Sequence, residues 1–209
     1  MKGERPIRIE VSPDISLDAR FTPGHKGTAI ICHPHPVHGG HMDVNVVRDA
    51  RNAAFESGLG TIRFDFRGVR RSSGTYGDGI GEMQDLRAVI DEATRLDPGP
   101  RAQRLHLMGY SFGAWISVRA VSEGFDCASL TLISPPLDLL DHPNISLPDN
   151  TPFLIVNGDR DEFCSLDILH QWKGHQSPVP QLEILADTDH YYIGHREPLT
   201  KALKTIFAD

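Results

Sequence analysis

Cysteine is scarce: Cys32, Cys127 and Cys164 are the only three in 209 residues, no two form a CxxC pair, and an odd count argues against a disulfide framework. A reducing compartment is expected. Long apolar runs are missing too. Nowhere do eighteen uninterrupted apolar residues stand together, and the opening MKGERPIRIEV lacks the apolar core of a secretory signal, so a cytoplasmic protein is expected. Basic charge is in deficit, with 21 Lys and Arg against 28 Asp and Glu and a formal charge of -7. That balance disfavours a phosphate backbone or an anionic membrane as partner, so neither nucleic acid nor membrane is expected. Internal repeats and low-complexity linkers are absent. With 39% hydrophobic residues, the chain has material for one substantial core and predicts a single domain over residues 1–209.

What is present is an alternation of short apolar runs with segments of helical period, the pattern of a mostly parallel sheet covered by helices. Eight strands are predicted: Ile7 to Val11, Leu17 to Thr22, Thr28 to Cys32, Thr61 to Phe66, Leu105 to Met108, Leu130 to Ile133, Phe153 to Val156 and Leu182 to Leu185. Met83, Leu86, Val89, Ile90, Ala93 and Leu96 recur at spacings of three and four and predict a helix facing the sheet. Weaker periods run through Val47, Ala50, Ala54 and through Leu199, Leu203, Ile206, Phe207, and Phe112 to Ser122 can follow its strand as a helix. No helix fits between the first two strands, so they predict an antiparallel hairpin at one edge. The Pro-rich stretch 134–150 is the longest irregular segment and the one candidate for a partial lid.

After the strand ending at Met108 comes GYSFG, with Gly109 and Gly113 two positions either side of Ser111. A sharp strand-to-helix turn crowds those two positions, and the serine between them would be lifted off the edge of the sheet as a nucleophile. Such a hydroxyl needs a base, and the base needs an orienting acid. GDRDEF, after the strand FLIVN, offers Asp161 with Asp159 as its rival; DTDHYY, after LEILA, offers His190 with His195 as its rival; Asp138 is a further acid candidate. The favoured order is Ser111, Asp161, His190.

The collinear motifs HPHPVHGG, RFDFRGVRRSSG, GIGEMQDLRAVID, GYSFGA, GDRDEF and DHYYIG, spread over residues 28 to 207, resemble the α/β-hydrolases, and within them the small lidless members similar to dienelactone hydrolase that carry an HPHP loop. The resemblance implies an eight-stranded, mostly parallel sheet with helices on both faces, no cap domain, and a triad of Ser111, Asp161 and His190. It also implies that the loop after TAIIC supplies one of two oxyanion-hole amides. Pro34 and Pro36 have no N–H, which leaves the amide of His35, opposite that of Phe112. One departure stands in FRGVRRS, where Arg70 occupies a position that is usually glycine. A left-handed backbone there would strain arginine, so a different loop path is expected.

CHPHPVHGGH also admits a metal reading through His33, His35, His38 and His41, but no carboxylate or second cysteine has structural-zinc spacing and the prolines limit convergence. No metal or cofactor is expected. His33 is read as bracing its loop, His38 and His41 as lining or rimming the cleft. GTYGDGIGE, residues 74–82, has the glycines of a nucleotide loop but neither the preceding strand nor the lysine of one. His38, Arg70 and Tyr191 are the candidates for substrate contact, Arg70 either as an anion holder or as a solvated charge. The expected activity is a serine hydrolase on a small or medium acyl ester or thioester, with a small-molecule acyl substrate as its partner. The same triad would serve a peptidase, and the same fold a non-catalytic ligand-binding protein. Nothing in the sequence sets an oligomeric state.

Overall fold

A computed structural model describes residues 3–97 and 104–207. Eight strands form one sheet: β1 (Arg5–Ser12), β2 (Ile15–Thr22), β3 (Thr28–Cys32), β4 (Gly60–Phe64), β5 (Leu105–Tyr110), β6 (Ser129–Ile133), β7 (Phe153–Gly158) and β8 (Gln181–Leu185). Their spatial order is β1-β2-β4-β3-β5-β6-β7-β8. β1 and β2 make the expected edge hairpin, β2 joins β4 antiparallel, and every later pairing is parallel. β4 stops two residues short of the expectation, because Asp65 and Phe66 already turn toward the neighbouring loops.

The helices are α1 (Asn45–Glu56), α2 (Ile80–Leu96), α3 (Phe112–Ser122), α4 (Leu166–Gly174) and α5 (Arg196–Lys204), with short 3₁₀ turns at Pro36–His38 and Thr205–Phe207. Ile206 and Phe207, read as the end of the last helix, fall in that second turn. α4 was not anticipated; it buries only Leu169 and Trp172, too few to make a legible period.

Strand side chains alternate between the two faces, so each central strand feeds two cores. Ile30 and Cys32 of β3 and Leu107 of β5 meet α2, α3 and α4. Ala29 and Ile31 of β3 and Met108 and Tyr110 of β5 meet α1 and α5. Among the described residues no helix is long and apolar enough to cross a membrane. The chain runs from β3 outward to β4 and returns past β3 to β5, so the strand order reverses where β3 and β5 lie side by side. Open α/β sheets leave a crevice at the carboxyl ends of such strands.

Candidate functional site

Ser111 follows β5 directly and holds φ 54° and ψ −119°, a left-handed conformation that costs a non-glycine residue roughly 1–3 kcal/mol. Its neighbours must be glycine for a measurable reason. A Cβ on Gly109 would lie 2.2 Å from the Gly113 carbonyl oxygen, and one on Gly113 would lie 2.3 Å from that of Cys32. The elbow is thus pressed against both its own helix and the end of β3.

Beyond β7 the buried Asp161 carboxylate accepts the Phe163 amide at 2.9 Å, and both its oxygens lie 2.9 Å from His190 Nδ1. His190, beyond β8, sets Nε2 3.0 Å from Ser111 Oγ. Because Nδ1 faces a carboxylate, the proton is assigned there, and the Nε2 lone pair faces the serine hydroxyl. The rivals have other partners. Asp159 accepts the Thr188 amide, Asp138 accepts the Ser165 amide, and the half-buried His195 ring bonds the Ile193 carbonyl. Asp159 thereby ties the acid loop to the histidine loop, and Gly158 lets them close, since a Cβ there would meet the Thr188 oxygen at 2.1 Å.

Several supports escaped the sequence reading. Tyr110 donates its hydroxyl to the His190 carbonyl at 2.9 Å, and burial, reinforced by Asp161, raises its pKa so that it stays a donor. Phe163 sets its ring edge-to-face against His190 at 4.8 Å. Tyr192 is fully buried, bonded to Ser134 and to the Val156 carbonyl, whereas Tyr191 opens onto the cleft. The periodic apolar pattern that marks strands carries no information about such cross-loop bonds.

Ser111 and His190 line a cleft of about 800 Å³, with Asp161 behind the His190 ring. Its walls include Pro34, His35, His38 and Gly40 from the first loop, Val44 and Val46 from the start of α1, Pro136, Leu139 and Leu140 from the 134–150 loop, and Phe163, Tyr191 and Ile193. No Asp, Glu, Lys or Arg lines it among the described residues. The 134–150 loop forms one wall rather than a cover: Trp172 donates to the His142 carbonyl, and Ile145 and Leu147 are hydrogen-bonded to Gln176 and Ser177. A second groove of about 790 Å³ between β1 and α2 is lined by charges of both signs, including Arg8, Glu10 and Arg87, and holds none of the three residues.

The four early histidines go to four different neighbours. His33 is buried between the Pro34 carbonyl and the Phe66 amide; His35 packs on Phe112 and Tyr76; His38 opens onto the cleft; His41 accepts the Asp43 amide and does not line the cleft. Two expectations about Arg70 need correction. Its backbone keeps the left-handed path, at φ 52°, and its guanidinium does not reach the cleft. Asp43 holds it at 2.6 Å, with Asp65 at 3.6 Å. Burial would raise the Asp43 pKa, but hydrogen bonds from Arg63 and Arg70 outweigh it and hold the carboxyl down at about 2.

Against known proteins, residues 28–204 match the model of the alpha/beta hydrolase domain. A serine hydrolase homologue from Coxiella burnetii is 31% identical, with TM-score 0.86 over 98% of this chain and 97% of that one. A serine hydrolase without a lid from Xanthomonas campestris is 30% identical, with TM-score 0.88 over 99% of this chain and 94% of that one. An uncharacterized protein of Rickettsia prowazekii is 30% identical over 88% of this chain and 80% of its own length. With its reversing strand order, its serine elbow and these likenesses, the chain belongs to the α/β-hydrolase family and has the lidless form of the fold.

Proposed function

We propose that this protein is a serine hydrolase that cleaves small or medium acyl esters or thioesters through an acyl-enzyme. The observation that carries the reading is the continuous relay from the Asp161 carboxylate through both nitrogens of His190 to the Ser111 hydroxyl, at 2.9 and 3.0 Å. His190 takes the serine proton as Oγ attacks the acyl carbonyl, and Asp161 holds the imidazole in the tautomer that can accept it. The His35 and Phe112 amides receive the developing oxyanion. Neither donates to another group of the chain among the described residues. His190 then protonates the departing alcohol or thiol, and water, activated the same way, releases the acid.

The uncharged lining supports a neutral substrate. Leu139, Leu140, Phe163 and Ile193 offer an apolar acyl chain or leaving group dispersion and desolvation without a charge to be matched. Tyr191 and His38 supply polar edges. Esters and thioesters of graded acyl length measure the preference between the two leaving groups, and kcat/KM is expected to rise with length until the chain spans the cleft. A fluorophosphonate probe tests the chemistry itself. Wild type is expected to gain one phosphonyl group; Ser111→Ala should gain none and lose about 10⁴-fold or more in kcat. A wild type that the probe leaves unlabelled would sink the proposal.

A further inference from the structure

The loop after β3 fixes one peptide with unusual completeness. The His33 side chain is fully enclosed, with its ring edge-to-face on Phe66 at 4.8 Å. The Phe66 amide can only donate, and it reaches Nε2 at 3.0 Å, so Nε2 is the acceptor. The ring proton is then on Nδ1, which donates to the Pro34 carbonyl at 2.6 Å. That carbonyl belongs to the same planar unit as the His35 N–H, and in a trans peptide the two point in opposite directions. Holding the oxygen therefore aims the amide. On the other side of His35, its own carbonyl accepts the amides of His38 at 3.1 Å and Gly40 at 3.0 Å. Gly40 also packs on the Pro34 carbonyl, where a Cβ would come within 2.1 Å. Both peptide planes of His35 are pinned, and its N–H, in a residue that lines the cleft, donates to no group among the described residues.

We infer that His33 is a positioning residue: its neutral imidazole, clamped between the Phe66 amide and the Pro34 carbonyl, sets the direction of the His35 oxyanion donor. The inference rests on the hydrolase reading above. Desolvation by burial also lowers the His33 pKa to about 3, so the ring keeps one donor and one acceptor under ordinary working conditions. A donor aimed before charge develops needs no reorganisation during the reaction, and removing one such donor costs about 10²–10³-fold in kcat. Loss of aim should approach that loss.

Two substitutions separate aiming from mere packing, because each keeps a different nitrogen's role. Asn places an amide donor near the Nδ1 position and can still hold the Pro34 carbonyl, while Gln places its acceptor near Nε2 and can still take the Phe66 amide. On p-nitrophenyl butyrate, His33→Gln is expected to lower kcat on the order of 10²-fold with KM within about twofold. It should weaken a trifluoromethyl ketone, which forms a tetrahedral adduct on the serine, by a similar factor. His33→Asn should recover kcat to within about tenfold of wild type. Equal losses in both variants, a loss confined to KM, or a loss that follows the change in Tm would overturn the inference. If His33→Gln does not fold, His33→Asn decides alone: adduct affinity within about tenfold supports aiming, and a larger loss refutes it. A wild type inert to esters and to the fluorophosphonate would instead overturn the hydrolase reading, whereas an active wild type with an unimpaired His33→Gln overturns only the role of His33.

Discussion

Arg70 sits at φ 52°, a backbone state that costs an L residue roughly 1–2 kcal/mol, and its charge offsets part of that cost. Asp43 binds it directly, and Asp65, buried with one carboxylate oxygen lacking a hydrogen-bond partner among the described residues, has Arg70 as the cation beside it. The pair is half exposed, so its own contribution is modest; what it does is join the loop after β4 to the start of α1. Because the guanidinium faces those carboxylates rather than the cleft, Arg70→Gln is expected to leave the ratio of KM values for a hemisuccinate and a butyrate ester unchanged within about twofold. A selective rise for the anionic ester would return Arg70 to the binding site. Gly113 poses the opposite case. Its missing side chain is replaced by the backbone of β3, and Gly113→Ala would force a methyl against the Cys32 oxygen. Overpacking of this kind costs about 1–3 kcal/mol or more, so a Tm within a degree of wild type would contradict the packing described for the elbow.

The glycine-rich string 74–82 finds its explanation at the level of the element. Gly79 caps the N-terminus of α2 at φ 82°, and a Cβ there would collide with the Trp115 ring at 2.4 Å. Glu82, fully buried, turns back to accept the Gly77 and Gly79 amides at 3.0 and 2.8 Å. The string is a helix start pressed against α3, and its carboxylate satisfies donors that would otherwise be orphaned. Glu82→Ala is expected to cost about 1–3 kcal/mol, measured as a lower urea midpoint at unchanged m-value. Elements were legible where apolar residues repeat: β3 and β7 carry the unbroken runs AIIC and FLIV, β1 and β2 alternate apolar with polar residues, and α2 carries a stripe of six. α4 was not, because nine residues with two buried side chains leave no period to read. The 134–150 loop was legible as irregular, but its role as a fixed wall depends on Trp172 and Gln176, which lie beyond it in the chain.

For the molecule as a whole, the three candidate catalytic residues could be read because each leaves the carboxyl end of a strand, and a parallel sheet gathers those ends at one edge. The bonds that orient them, Tyr110 to the His190 carbonyl and His33 to the Phe66 amide, could not be read, since they depend on which loops become neighbours once the strand order reverses. The same enclosure has a consequence for stability. Desolvation by burial lowers the pKa of His33 to about 3 and of His106 and His142 to about 4. In His106 and His142 the Nε2 atoms are buried with no hydrogen-bond partner among the described residues, so a proton placed there would find no acceptor. An unfolded chain protonates its histidines near pH 6.5. Each of these three therefore contributes stability that is complete above about pH 6.5 and is lost as pH falls toward its folded value. Where all three differ by nearly one proton, the slope is roughly 4 kcal/mol per pH unit. Asp65 and Asp85, raised by burial, oppose part of this loss, and Asp43, held down by arginine, adds to it at still lower pH. Denaturant unfolding is expected to give a plateau above pH 7 and a steep decline between about pH 6 and 4, and His142→Gln should remove about a third of the slope. A stability that stayed flat between pH 7 and 5 would mean that these rings are solvated in the folded protein.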